Sequence, residues 1–495
     1  MNRYIYNGII SFLFALPVFA QNNNNGVGAL NSEIEALKKD TGLKNASWSL
    51  YVAETETGNP VCSHNADVVL EPASVMKIVT TGAALSLLGA SYAFETRLEY
   101  SGTVDTMGTL HGNLFITGGG DPTIGSGRFN SSVSSDTVFK EFYHAMRQNN
   151  IRRINGYIVG DASVFGENPA AGSWLWEDIG NYFASGAYGI NIYENCYRLY
   201  FDAGTTVGSR AELARMKPVM DELTFINNVT TAGPGTGDNV IIYGQPYTPL
   251  RMLEGTVPLG KSDFDVDGSI PDPPRYFVQQ FASYLNNQGV KIEKSFTTDR
   301  EMKWKNQSDT AARNIIAKHI SPPISEIIIP TNLKSINLFA EAMLKACGIK
   351  KKSDGSEKAG IEAVKNFWLS KNVNLSGFEM EDACGLSRKN KISTRQLTEM
   401  LRVITKEKSY KIFCLSLPVA GQSGGIASML KNTVAERNLI AKTGNMDKIK
   451  SYAGYVTNAA GKKLAFALIF NNYTCSNAAI KQIAEKLLLL ISQTH

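Results

Sequence analysis

Apolar positions recur along this chain with two periods, and the order of those periods marks out its organisation. "SEIEALKKDTG" has helical spacing, and "ASWSLYVAETETGNPVCSHNADVVL" reads as two strands joined at a Thr-Gly-Asn turn. "SVMKIVTTGAALSLLG" is apolar almost all round until Gly89 stops it, which predicts a helix buried at the centre of a domain. From about Phe94 to Arg313 the texture changes to strands such as "FETRLEY", "HGNLFITGG" and "NGYIVGD", separated by Gly, Pro and Asn turns. This predicts an inserted β-rich region. From Asn314 onward helical spacing returns in "SINLFAEAMLKACG", "IEAVKNFWLS" and "STRQLTEMLRVITKE". Strand-like "ERNLIAKTG", a hairpin turning at Asn458 to Gly461 and a last helix, "AIKQIAEKLLLLIS", complete the chain. The first and last hairpins together predict one antiparallel sheet flanked by helices, an α+β or α/β layer architecture.

A chain of 495 residues exceeds a single hydrophobic core, so two or three domains are expected. With 43% hydrophobic and 19% charged residues it belongs with globular proteins rather than disordered or fibrous ones. Its 50 basic and 45 acidic residues leave a formal charge of +5 without a long like-charge run, which excludes the basic signature of a nucleic-acid binder. At the N-terminus one Arg in "MNRY", the short apolar run "GIISFLFALPVFA" and small residues at Val18-Phe19-Ala20 read as a secretory signal over residues 1–20. The expected mature protein starts near Gln21, is exported, and has no transmembrane segment. Six cysteines lie far apart with no C-x-x-C pair, which argues against a zinc or redox motif and leaves disulfide pairing open.

Two serines compete for the role of nucleophile. Gly421 to Gly425 spell G-x-S-x-G around Ser423, the spacing of a hydrolase elbow. That motif needs a strand before it, a helix after it and a downstream acid and histidine, yet only His495 follows. An order with histidine first, through His64, His111, His144 or His319, has no local signature. Ser74 opens S-x-x-K with Lys77, and residues three apart on a helix share a face, so an ammonium there reaches the hydroxyl. The same spacing recurs at Ser428 to Lys431, and S-x-N occurs at Ser63 to Asn65 as well as at Ser335 to Asn337. The specific feature is the ordered set Ser74-x-x-Lys77, then Ser335-Ile336-Asn337, then Lys442-Thr443-Gly444, the single K-T-G of the chain.

That ordered set resembles the penicillin-recognising serine enzymes, the β-lactamases and penicillin-binding proteins. The strings "EPASVMKIVTTGAAL", "GGGDPT", "GDASVFG", "SWLWEDI", "KSINLFAEAML", "GLSRKN", "LPVAGQSGG" and "AERNLIAKTGNM" narrow the resemblance to the three-domain D-alanyl-D-alanine carboxypeptidase/endopeptidase family of low-molecular-mass penicillin-binding proteins. "LPVAGQSGG" is part of that pattern as a loop, which leaves Ser74 as the nucleophile. Ser74 and Ser335 are 261 positions apart, room for two nested domains and more than a compact β-lactamase carries. The resemblance implies a catalytic domain of residues 27–93 and 314–495, an inserted domain of 94–190 and 266–313, and within it a nested domain of 191–265. One departure is Cys384 in "DACGLSR", where the family commonly has Ser.

What the resemblance implies for the site is an exported, periplasmic D-Ala-D-Ala carboxypeptidase and endopeptidase. It would act on peptidoglycan stem peptides through a Ser74 acyl-enzyme, be acylated by β-lactams, and need no metal or cofactor. Lys77 would be the base, with its pKa brought down by burial or by the Lys442 cation. Ser335 would relay a proton, Asn337 would hold Lys77 and the substrate amide, and Lys442 with Thr443 would receive the terminal carboxylate. The N–H groups of Ser74 and Asn445 would hold the oxyanion, and Gly444 would let substrate backbone lie on the strand. Asp161 and Met446 would meet the substrate side chain, although Asp161 at the end of "YIVGD" also suits a turn. The rival readings are a β-lactamase and a non-catalytic penicillin-sensing or wall-binding protein.

Overall fold

The computed structural model describes residues 26–495, so the segment read as a secretory signal lies outside the described residues. A five-stranded antiparallel sheet forms its centre, in the order Pro60–His64, Ser47–Glu54, Lys463–Asn471, Ile449–Thr457, Ile440–Met446. The strand "KLAFALIFN" shows why this sheet has two unlike faces. Side chains alternate across a strand, so Leu464, Phe466, Leu468 and Phe470 turn one way and Ala465, Ala467 and Ile469 the other. The bulky face packs against the helices Gly26–Leu37 and Asn477–Ser492. The small face admits the helices Met76–Leu87, Asn337–Lys352, Glu357–Ser370 and Thr394–Ile404.

Helix Met76–Leu87 is buried from Met76 through Leu85, as its apolar circumference predicts. At Gly82 a Cβ would stand 2.6 Å from Ile404 Cδ1, so this glycine lets the Ile404 side chain of helix Thr394–Ile404 pack directly on the helix backbone. The layered core therefore holds Ser74 and the buried Lys77 at the start of its central helix.

The inserted region carries a second five-stranded sheet, ordered Phe296–Thr298, Ile158–Asp161, Leu114–Thr117, Glu95–Ser101, Arg313–Ile320. A three-stranded sheet (Glu212–Lys217, Cys196–Asp202, Phe264–Ser269) and a four-stranded one around Leu250–Pro258 are nested in it. Two edges differ from the sequence expectation. Strand Arg313–Ile320 pairs with Glu95–Ser101 along its length, so the inserted sheet extends to Ile320 rather than ending at 313. Its Ile315 and Ile320 are exposed, so no clean alternation marked it as a strand. Strand Phe264–Ser269 pairs with Cys196–Asp202, which carries the nested unit to Ser269 rather than 265.

All six cysteines are free thiols. Among the described residues no helix is long and apolar enough to cross a membrane.

The small sheet face makes a stability prediction. Ala467→Leu forces extra methylenes between sheet and helices and should destabilise the protein by about 1–3 kcal/mol. A lowered thermal midpoint in calorimetry checks it, whereas an unchanged midpoint would show that this layer has slack.

Candidate active site

Ser74 sits on a strained turn. Ala73–Val75 form a single 3₁₀ turn that runs into helix Met76–Leu87, and Ala73 itself has φ +47, a left-handed conformation disfavoured for any residue with a Cβ. Its neighbours brace it from two sides. The Ser451 hydroxyl donates to Pro72 O at 2.6 Å, and Gly385, at φ +88, lies where a Cβ would fall 1.9 Å from Ala73 O.

Gly444 belongs to the same brace, which corrects the role expected of it. Its missing Cβ would meet Ser451 Oγ at 2.2 Å, Pro72 O at 2.7 Å and Ala73 Cβ at 3.0 Å. The glycine of K-T-G thus seats the strand against the serine turn rather than clearing a path for substrate backbone.

Lys77 is fully buried, and its Nζ contacts Ser74 Oγ at 3.0 Å, Asn337 Oδ1 at 2.6 Å and Cys384 O at 2.8 Å. None of these partners is a carboxylate. Desolvation pushes the Lys77 ammonium below its ordinary pKa, against the opposing pull of Cys384, Asp382 and Glu341 nearby. Lys442, also buried, donates to Ser335 Oγ at 3.0 Å and to Thr443 O at 2.7 Å. Burial first, and the Lys77 charge second, push Lys442 well below its ordinary value. Ser335 has φ +62, a second strained residue at the site. Asn337 opens helix Asn337–Lys352, and its Nδ2 donates to Phe183 O at 2.6 Å, so one amide joins the base to the inserted region.

The strand Ile440–Met446 is the edge of the central sheet. Ala441 N–H donates across that edge to Pro418 O at 2.9 Å, so the two-residue period turns the N–H groups of Thr443 and Asn445 toward the same side. Beyond Ala441 that side opens on a cavity of ≈ 720 Å³ lined by Ser74, Ser335, Asn337, Asn445 and Met446. Lys77 and Lys442 are not on its lining; they are buried against Ser74 and Ser335.

The competing serines have other tasks. Ser423 Oγ accepts from Val419 N–H at 3.0 Å within its own loop, and a Cβ on Gly425 would stand 2.3 Å from Thr443 Oγ1. The G-x-S-x-G segment is therefore a support pressed against Thr443. Ser428 Oγ accepts from Lys481 at 2.8 Å at an exposed site.

Asp161 is not at this site. It ends a strand in the middle of the inserted sheet, and its carboxylate accepts from Arg313 Nη1 at 2.6 Å and from Ser163 Oγ at 2.7 Å. Although burial works against its charge, the bonds from Ser163 and Arg313 hold its pKa below the ordinary value. It is the turn residue of the two readings. The inserted region instead brings Asp178, Tyr182 and Phe183 to the cavity, and the loop after Cys384 brings Arg388. Burial, then Glu177, pushes the Asp178 carboxyl up. Its string, "SWLWEDI", contains the signal that sequence reading passed over: an acidic pair following exposed Leu175 and Trp176.

The D-Ala-D-Ala carboxypeptidase 3 (S13) family matches residues 30–494. The chain is 25% identical over 477 residues to a D-alanyl-D-alanine carboxypeptidase of Actinomadura sp. (strain R39), covering 94% of this chain and 85% of that one. It is also 25% identical over 487 residues to D-alanyl-D-alanine carboxypeptidase DacB of Haemophilus influenzae, covering 96% and 93%. The crystal structure of penicillin binding protein 4 from Haemophilus influenzae superposes with a TM-score of 0.78 at 22% identity, over 94% of this chain and 99% of that one. With Ser74, Ser335 and Asn337 lining one cavity and Lys77 and Lys442 buried directly behind them, the chain belongs to the D-Ala-D-Ala carboxypeptidase 3 (S13) peptidase family.

Proposed function

We propose that this protein is an exported, periplasmic serine D-Ala-D-Ala carboxypeptidase and endopeptidase that cleaves peptidoglycan stem peptides through an acyl-enzyme on Ser74. The observation that carries the reading is the set of contacts around Lys77. A neutral amine has two N–H donors and one lone pair. Asn337 Oδ1 and Cys384 O take the two donors, so the lone pair faces the Ser74 hydroxyl at 3.0 Å. Burial favours that neutral amine. Lys77 is thereby set up to take the hydroxyl proton as Ser74 Oγ attacks the carbonyl between the two D-alanines.

The developing oxyanion lies between the N–H groups of Ser74, at the start of its helix, and Asn445, on the strand edge. The proton that Lys77 took from Ser74 is relayed through Ser335 Oγ, which Lys442 contacts, to the departing amine, so Ser335 keeps its proton and Lys77 is neutral again for deacylation. Thr443 receives the terminal carboxylate, with Lys442 buried behind it against Ser335, and water then releases the acyl group by the reverse path. Met446 lines the cavity next to Asn445 and meets the stem side chain. Asp178 and Arg388 present opposite charges to the same space and suit a side chain carrying both an amino and a carboxylate group. A cavity of ≈ 720 Å³ has room beyond the two alanines, which supports cross-linked as well as free stem peptides as substrates. The crystal structure of the Haemophilus influenzae penicillin binding protein 4 complexed with a β-lactam supports acylation of this chain by the same drug class.

Incubation with a stem pentapeptide, with cross-linked muropeptide and with a penicillin tests the assignment. Expected are released D-Ala, cleaved cross-links and a stable acyl adduct on Ser74; many turnovers of the drug would instead mark a β-lactamase. Ser74→Ala should abolish labelling by a fluorescent penicillin while Ser423→Ala and Ser428→Ala retain it, and labelling of the Ser74 variant would refute the nucleophile.

Gly444→Ala should cut acylation by about 10-fold or more, since Ser451 and the strained serine turn must shift by roughly half an ångström or more and misplacement of reacting groups is expensive. Stopped-flow acylation at the wild-type rate would show that the turn relaxes freely. For selectivity, Asp178→Asn should lower kcat/KM by roughly 10-fold to 100-fold on peptides with a free side-chain amine. Penicillin acylation should stay within about twofold, because removing a contact that the drug does not make costs it little. Equal losses on aminated and acetylated peptides would take Asp178 out of substrate recognition.

A further inference from the structure

Helix Asn337–Lys352 carries three polar side chains one turn apart on a face that is otherwise core: Asn337, Glu341 and Lys345. Glu341 is 3% exposed and Lys345 2%, so neither is there for solvent. Glu341 Oε1 accepts the N–H groups of Ala383 and Cys384, each at 3.0 Å. These donors flank the peptide next to the Cys384 carbonyl that holds Lys77. Lys345 Nζ donates to Asn168 O and to Ala187 O, each at 2.9 Å. Those two carbonyls are the ends of one segment, and between them lie Asp178, Tyr182 and Phe183, the cavity wall from the inserted region.

We propose that Glu341 and Lys345 are positioning residues of the reaction, Glu341 fixing the Cys384 carbonyl on the base Lys77 and Lys345 fixing both ends of the substrate-facing segment Asn168 to Ala187. With Asn337, which bonds both Lys77 and Phe183 O, they place base and substrate wall in register along one helix. The inference rests on the acyl-enzyme reading.

The surroundings give Glu341 an electrostatic part as well. Facing it are Lys345 on its own helix, Glu357 on the next helix, Asp382 and Cys384 on the loop, and Lys77 on the serine helix. Burial first, then Asp382 and Glu357, raise its carboxyl to about 8, so it is neutral at pH 7. Its ionisation at higher pH places a negative charge behind Lys77 and favours the protonated amine, which cannot act as base. Burial lowers Lys345 to about 8, which leaves it charged at pH 7 to hold its two carbonyls.

Four variants test this, each checked for folding by its thermal melt. Penicillin acylation is followed against pH, and kcat and KM are measured on a pentapeptide with a free side-chain amine. Glu341→Gln keeps an acceptor and a neutral group; it should acylate near the wild-type rate at pH 7, while the alkaline limb of its pH profile moves upward or flattens. Glu341→Ala should acylate about 10-fold slower or worse, the loss expected when two buried N–H donors are left without an acceptor and the Cys384 carbonyl is no longer held. Lys345→Met should raise KM about 10-fold while acylation by a small penicillin changes less than about threefold, and Lys345→Arg, which still donates to both carbonyls, should recover most of the KM. A Gln variant whose pH profile superposes on wild type, or a Met variant that loses acylation and peptide turnover in equal measure, overturns the proposal. If Lys345→Met does not fold, the Arg variant decides alone: its KM must stay within about threefold of wild type. A wild-type protein that forms no acyl adduct would instead overturn the acyl-enzyme reading itself.

Discussion

The whole site depends on burying a lysine without giving it a carboxylate. A buried ammonium is costly unless it is paired, and in the absence of a counter-charge the protein favours the neutral amine. Lys77 meets only neutral oxygens, from Ser74, Asn337 and Cys384, and each comes from a different segment. Bringing those segments together needs a helix apolar on nearly every side, a second helix starting at Asn337, and a loop held by Glu341. The apolar sheet face of Ala465, Ala467 and Ile469 supplies the dry layer against which that assembly closes.

The glycines of the motifs follow from the strain at the nucleophile. Ala73 and Ser335 both hold left-handed backbone, which persists only where the surroundings over-determine it. Gly444 and Gly385 let a strand and a loop press directly on the Pro72–Ala73 backbone, and Gly425 lets a further loop press on Thr443. Two of the short strings that carry the family resemblance therefore support that turn and a third supports the strand beside it, and a sequence reading that assigns each glycine its own chemistry misplaces them. Ser423 is the clearest instance: its spacing copies a nucleophile elbow, yet its hydroxyl closes a turn on Val419.

Much of the architecture was legible because it is periodic. The buried serine helix, the two hairpins of the central sheet and the helices after Ser335 all follow from spacing, and the S-x-x-K offset alone predicts that Lys77 reaches Ser74. What stayed hidden was set by tertiary pairing. Strand Arg313–Ile320 exposes apolar residues and so carries no alternation, and only its partner Glu95–Ser101 defines it. Asp161 and Asp178 are both acids of the inserted region; the choice between them turns on Arg313, more than 150 positions downstream of Asp161, which already neutralises one and leaves the other to the cavity. The Cys384 carbonyl is a backbone group, on which residue identity has little hold.

The division of labour between core and insertion explains why so long an interruption between Ser74 and Ser335 does no harm to the chemistry. Every group that moves a proton in the proposed reaction, Ser74, Lys77 and Ser335, comes from the layered core. The insertion adds backbone acceptors, with Phe183 O on Asn337 and the carbonyls of Asn168 and Ala187 on Lys345, and it also packs Phe165, Trp174 and Ala184 into the core's own apolar cluster. The segment between Asn168 and Ala187 is therefore held by side chain as well as backbone: its end carbonyls accept from Lys345 and its Trp174 indole N–H donates to Asp382, which leaves Asp178 and Tyr182 to line the cavity.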